Sequence, residues 1–228
     1  MKKRLPFTAL ELVLVCAVAA ILLSISLPAF YNISSGRRLT GSMSIIAANI
    51  SLARARAVSD RTYTALIFPA STDDLGLDSD SKICNNAVRV AEVRKKTSGS
   101  GISFVFVKWL DGSTWESVGD GVVLPPGDSD NFKEEDQSGA PYGVSDVDFT
   151  DLKSGVTKDV ARAIVFSPRG QIITQATVKP ILIRAAEGTK IPGSDTFTLK
   201  KTTGTKTMYA VLTVNPLSGR TSVSYEED

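Results

Sequence analysis

The chain has 228 residues, of which 43% are hydrophobic, enough for one globular domain and one further element. Charged residues make up 22% and the formal net charge is +2, which excludes a disordered charged tail and gives no global drive toward nucleic acid. There is no histidine, which removes Ser-His-Asp and Cys-His catalysis, two-His metal sites and histidine proton shuttling together. The two cysteines, Cys16 and Cys84, lie too far apart in character and sequence to imply a disulfide framework.

The N-terminus opens on Lys2, Lys3 and Arg4. From Leu12 to Phe30 the sequence is almost wholly apolar, broken by Ser24, Ser26 and Pro28. As a helix, that run predicts a segment that spans or nearly spans a bilayer. The basic start favours a cytoplasmic N-terminus and an exported remainder. A secretory signal cleaved near Ala29 is the plain alternative. Glu11 argues against it, because a carboxylate in such a run costs about 2.5–3.5 kcal/mol at full depth and a disposable signal has no use for one. A single-span anchor carrying an unrelated head is the second plain alternative.

The stretch Pro6-Phe7-Thr8-Ala9-Leu10-Glu11-Leu12 resembles the prepilin cleavage and methylation motif of type IV pilins and type II secretion pseudopilins. In that family a Phe begins the mature chain and a Glu follows four residues later, the spacing of Phe7 and Glu11. Pro28 falls where the family often carries a helix-loosening proline. One residue departs from the pattern: the family has Gly before the cut, and here Pro6 brings a fixed φ and no N–H. The resemblance implies processing between Pro6 and Phe7, with Phe7 as the N-methylated residue. It also implies assembly through Glu11 and Pro28. Glu11 would neutralise the Phe7 amine of a neighbouring subunit and so set subunit height.

From Tyr31 to Asp60 there is no proline, and Leu39, Met43, Ile46, Ile50, Ala53 and Ala57 recur at spacings of four and three. That is an amphipathic stripe, with Arg37, Arg38, Arg54, Arg56 and Arg61 mostly off it. The stretch from Ile50 to Ser59 resembles minor pseudopilins of the GspH/FimT type. So does Ala163 to Gln171, with its Pro168-Arg169-Gly170 turn.

Beyond Arg61 the chain reads as β structure. Strands are predicted over Thr62–Phe68, Ala87–Arg94, Ile102–Trp109, Val122–Leu124, Arg162–Ser167, Gln171–Thr174, Ile181–Arg184, Tyr209–Val214 and Thr221–Tyr225. The polar stretch from Pro125 to Asp151 reads as a long surface loop.

Two acidic loops raise the question of calcium: Asp73 to Asp80, and Asp128 to Asp136. Neither has EF-hand spacing, so no cofactor or metal is expected, with Asp128 and Asp130 as weak calcium candidates against solvated loop charge. Lys200, Lys201 and Lys206 form a small basic segment, but the chain runs out in Glu226-Glu227-Asp228, and nucleic acid is not an expected partner. No phosphate loop, CxxC pair or nucleophile elbow is present, so the chain does not read as an enzyme.

The expected fold class is therefore α+β and pilin-like: a long N-terminal helix, its first half transmembrane and its second half amphipathic, packed on an antiparallel β-sheet head. The expected division is a leader over 1–6, an assembly and transmembrane half-helix over 7–30, an amphipathic half-helix over 31–60, and a β-rich head over 61–228. The resemblance implies a minor pilin or pseudopilin of a type II secretion pseudopilus or type IV pilus-like filament. Its partners would be other such subunits through the N-terminal helix, a prepilin peptidase, and the bacterial inner membrane, crossed once with the N-terminus cytoplasmic and the head periplasmic. The alternatives are a DNA-uptake or adhesion pilin and a membrane-tethered binding module that never assembles.

Overall fold

The computed structural model describes residues 9–69, 83–98, 101–124, 132–134, 145–149, 161–173, 180–191, 197–203 and 206–227. Pro6, Phe7, Asp128, Asp130 and the acidic loop from Asp73 to Asp80 lie outside them. The chain divides into two compact units, Met1–Arg37 and Arg38–Asp228.

One helix, α1 (Ala9–Asp60), runs through both units and is continuous through Pro28. It ends where Arg61 takes a left-handed backbone with φ 54°, the conformation that commonly closes a helix. Inside the second unit the stripe of Leu39, Met43, Ile46, Ile50, Ala53 and Ala57 is fully buried. Burying each of its four large side chains is worth about 1.5–3 kcal/mol, and that, more than intrinsic propensity, holds this stretch helical. Next to the stripe, the buried Thr64 hydroxyl donates to the Ala53 carbonyl at 2.7 Å and ties the first strand back to the helix.

Strands β1 (Tyr63–Phe68), β2 (Ala87–Ser98), β3 (Gly101–Trp109), β4 (Glu116–Ser117), β5 (Val122–Val123), β6 (Phe132–Glu134), β7 (Ser145–Asp148), β8 (Ala161–Phe166), β9 (Ile181–Lys190), β10 (Phe197–Leu199), β11 (Lys201–Thr203), β12 (Lys206–Val214) and β13 (Thr221–Glu227) form two sheets. In the first, the order β1-β8-β7-β3-β2 is closed by a further pairing of β1 with β2, so five strands form a ring. All pairings in the ring are antiparallel except β3 with β7. A bulge at Glu92/Val93 sits in the β2–β3 pair, and bulges supply the bending that closure demands.

Closure explains why β1 is apolar on both faces. Ala65 and Ile67 join Ala91, Val93, Phe104, Phe106, Val147, Phe149, Ala163 and Val165 in one core, on the face the ring turns inward. Leu66 and Phe68, on the opposite face, join the α1 stripe, Val88, Val90, Ile164 and Phe166 in the other. The second sheet contributes Ile181, Ile183, Ala185, Ala210, Leu212 and Val214 to that same core. There β9 pairs with β12, β5, β6 and β10, and β12 pairs with β11 and β13.

The expected fold class is corrected by these findings. Among the described residues no helix is long and apolar enough to cross a membrane. The large apolar side chains described on the first stretch of α1 run from Leu10 to Leu23, about 20 Å of rise at 1.5 Å per residue, against a hydrocarbon core of about 30 Å. The expected single-pass inner-membrane placement, with its cytoplasmic N-terminus and periplasmic head, falls with it. Nor does a long helix lie as a whole on one antiparallel sheet. The helical part of the core runs from Leu39 to Ala57, against both a closed ring and a second sheet, and one ring pairing is parallel.

Candidate assembly surface

The first unit is defined by what its side chains expose. Leu10, Leu12, Val13, Leu14, Val15, Val18, Ile21, Leu22 and Leu23 are 50–80% exposed. Successive helical residues are about 100° apart, so this run covers every side of the helix rather than one stripe. Cys16 is exposed within it. The Ser24 hydroxyl donates to the Ile21 carbonyl at 2.7 Å, so that polar atom is satisfied within the helix itself. Fully burying such side chains is worth about 1.5–3 kcal/mol each. An apolar surface of this extent, broken from Leu10 to Leu23 only by Glu11, marks an interaction site.

Glu11 is exposed in the first described turn of α1, between Leu10 and Leu12. A carboxylate there is favoured by the positive end of the helix dipole. Pro28 lies within the continuous helix, where its missing N–H removes one i→i−4 bond. The structure thus places Glu11 on the exposed apolar run and Pro28 further along the same helix.

Within the second unit the charged residues do a different job. Glu187 on β9 is 6% exposed and receives two cations. Arg38 Nη2 on α1 lies 3.0 Å from its Oε1, and Lys200 Nζ lies 2.8 Å from its Oε2. A cleft of about 320 Å³ opens beside them, lined also by Gly121, Gly188, Thr189, Thr198 and Leu199. Sequence reasoning missed this network, because the β9 strand was expected to stop at Arg184. A lone Glu in an apolar run was the available signal.

Arg54 forms a second clasp. Its Nε donates to the Gly170 carbonyl at 3.0 Å. Gly170 is the last residue of the predicted Pro168-Arg169-Gly170 turn and has φ +75°. Gly219, in a turn after β12, has φ +64° and also lies against the Arg54 side chain. The predicted strand over Gln171–Thr174 is, among the described residues, only a bridge from Ile172 to Phe166.

The Arg89 guanidinium carbon on β2 lies 4.2 Å from the Trp109 ring centroid and 6.0 Å from that of Trp115. Its Nη2 donates to the Ser113 carbonyl at 2.8 Å. Burial holds the Arg89 guanidinium below its ordinary pKa range. Phe106, Trp109 and Phe149 continue the aromatic contacts. Among the described residues no group of three or more acidic or sulfur ligands could hold a metal ion.

No family model matches the chain, and neither a curated protein nor a solved structure matches it.

Proposed function

We propose that the chain is a structural subunit of the pilin or pseudopilin kind, joining a type II secretion pseudopilus or type IV pilus-like filament through the first stretch of α1. The carrying observation is the run of large side chains from Leu10 to Leu23, exposed on every side of the helix. A single groove or sheet would cover one stripe of such a helix. Surrounding helices cover all of it, and a repeated head-to-tail contact between them that does not close builds a fibre. The spacing of Phe7 and Glu11 supports the same reading.

The role is mechanical. Cutting between Pro6 and Phe7 by a prepilin peptidase frees the Phe7 amine. In the apolar bundle the Glu11 carboxylate of a neighbouring subunit pairs with it, and a subunit docked at another height leaves both charges in a poor environment. Apolar contact supplies the attraction and Glu11 supplies the register.

The test is Glu11→Gln, close in shape and without charge. Filaments imaged by negative-stain microscopy should be absent or out of regular order, with protein level and head folding unchanged. Regular filaments at ordinary yield would remove Glu11 from this role.

A further inference from the structure

The second sheet ends on β13, and this edge carries an interface of its own. β13 pairs with β12 along its whole length, from Thr221 opposite Val214 to Glu227 opposite Met208, with no bulge. All seven of its residues are exposed. Among the described residues no strand pairs with its other edge. Protein edges are usually blunted by brevity, proline, charged side chains or a bulge. The outlying strands β4, β10 and β11 are two or three residues long. β13 has seven residues and no proline, and its only charges, Glu226 and Glu227, stand at its end, each with a cation of its own chain beside it, Arg184 and Lys206.

We propose that two copies of the chain join through this edge, β13 against β13, antiparallel about a two-fold axis normal to the sheet. The axis keeps each residue on its own face, so a residue can only stand opposite one an even number of positions away. Centring the axis on Val223 sets Val223 against Val223, Ser222 against Ser224, Thr221 against Tyr225 and Arg220 against Glu226. Each pair is favourable in antiparallel sheets: branched with branched, hydroxyl with hydroxyl, branched with aromatic, cation with anion. Centring on Ser224 instead sets Glu226 and Glu227 opposite Ser222 and Thr221, with no cation opposite either.

The monomer prepares this register. The Tyr225 hydroxyl is hydrogen-bonded to the Thr40 hydroxyl of α1, which fixes the Val223 and Tyr225 side of the strand toward the helix. On the other side Arg184 Nη2 holds Glu226 at 2.8 Å. The Glu226 carboxylate has lone pairs for a second guanidinium, and the second copy brings Arg220 to it.

The pairing is independent of the filament reading and is tested apart from it. The full chain is used in detergent, which covers the apolar helix surface on every side, and carries Leu14→Ser, Val18→Ser and Leu22→Ser to weaken association through one stripe of it further. Cys16→Ser and Cys84→Ala leave any introduced thiol as the single one. Val223→Cys should give a covalent dimer with a short thiol-to-thiol crosslinker, and Ser224→Cys or Thr221→Cys far less. Mixing Thr221→Cys with Tyr225→Cys should restore the dimer. By light scattering, Arg220→Glu should weaken the dimer about tenfold or more, since two ion pairs per dimer become like-charge contacts. A chain that remains monomeric at high concentration, or crosslinking at Ser224 equal to that at Val223, overturns the proposal.

Discussion

Arg38 and Glu187 meet at 3.0 Å, joining a half-exposed cation on α1 to a buried carboxylate on β9. Lys200 approaches the other carboxylate oxygen at 2.8 Å from the segment between β10 and β11. One acid therefore holds the helix and the outer part of the second sheet to a common point. The cations are 48% and 50% exposed, so water can take either one back at little cost, whereas Glu187 at 7% is poorly placed to be hydrated.

That asymmetry fixes the expected cost of substitutions. Glu187→Ala should lower unfolding free energy by about 1–3 kcal/mol, short of the 3–5 kcal/mol seen when a fully buried pair is broken, because the orphaned cations reach solvent. Arg38→Ala should cost less than that, since Lys200 still answers the carboxylate. Urea titrations of the two variants check the order. Equal stability of Glu187→Ala and the parent would show that the network contributes nothing.

Gly219 offers a steric prediction. It has φ +64°, and a Cβ there would come within 2.8 Å of Arg54 Cδ. Gly219→Ala should destabilise by about 1–3 kcal/mol, from the left-handed backbone and the close contact together. In an Arg54→Ala background the contact disappears while the backbone cost of about 1 kcal/mol remains. A double-mutant cycle by thermal melting should show that coupling, and strict additivity would contradict the clasp.

The two stretches of α1 should respond in opposite ways. Ile46 is fully buried, so Ile46→Ala should cost about 2–5 kcal/mol of stability. Leu14 is 62% exposed, so Leu14→Ala should leave the unfolding transition within about 0.5 kcal/mol. Calorimetry of the two variants separates folding from assembly roles. A large loss from Leu14→Ala would place Leu14 in a core.

The sequence made some of this legible and hid the rest for physical reasons. The stripe from Leu39 to Ala57 was readable because helical periodicity is local and its partners are uniformly apolar. The centres of β1, β2, β3, β8, β12 and β13 were readable from branched and aromatic runs. Ring closure was not, because it rests on pairing Thr64–Phe68 with Arg162–Phe166, nearly a hundred residues away. No local pattern specifies such a partner. The strand β9 was expected to stop at Arg184, yet it continues through Gly188, where a Cβ would meet the Thr198 carbonyl at 2.8 Å. A glycine that reads as a strand breaker is there because β10 approaches too closely for any side chain. Glu11 was legible as an acid in an apolar run, while Glu187 was overlooked because β9 was expected to stop before it and because Arg38 reaches it from 149 residues away.

Arg89 tests the aromatic contacts. Arg89→Met keeps much of the packing volume but loses the contact with Trp109 and the bond to the Ser113 carbonyl. Removing a partly desolvated charge recovers some stability, so the net loss should be near 1 kcal/mol rather than the sum of the two interactions. Tryptophan fluorescence should shift, because Trp109 and Trp115 both lose the cation beside them. An unchanged spectrum would contradict the contact.

Assembly through the first stretch of α1 is tested by filament formation from a chain carrying Leu14→Ser, Val18→Ser and Leu22→Ser. These positions are 50–62% exposed and lie on the apolar run of the first unit. The head should keep its melting temperature while fibres vanish from pelleting assays and micrographs. Fibres of ordinary yield and order from that variant would show that this surface does not carry assembly.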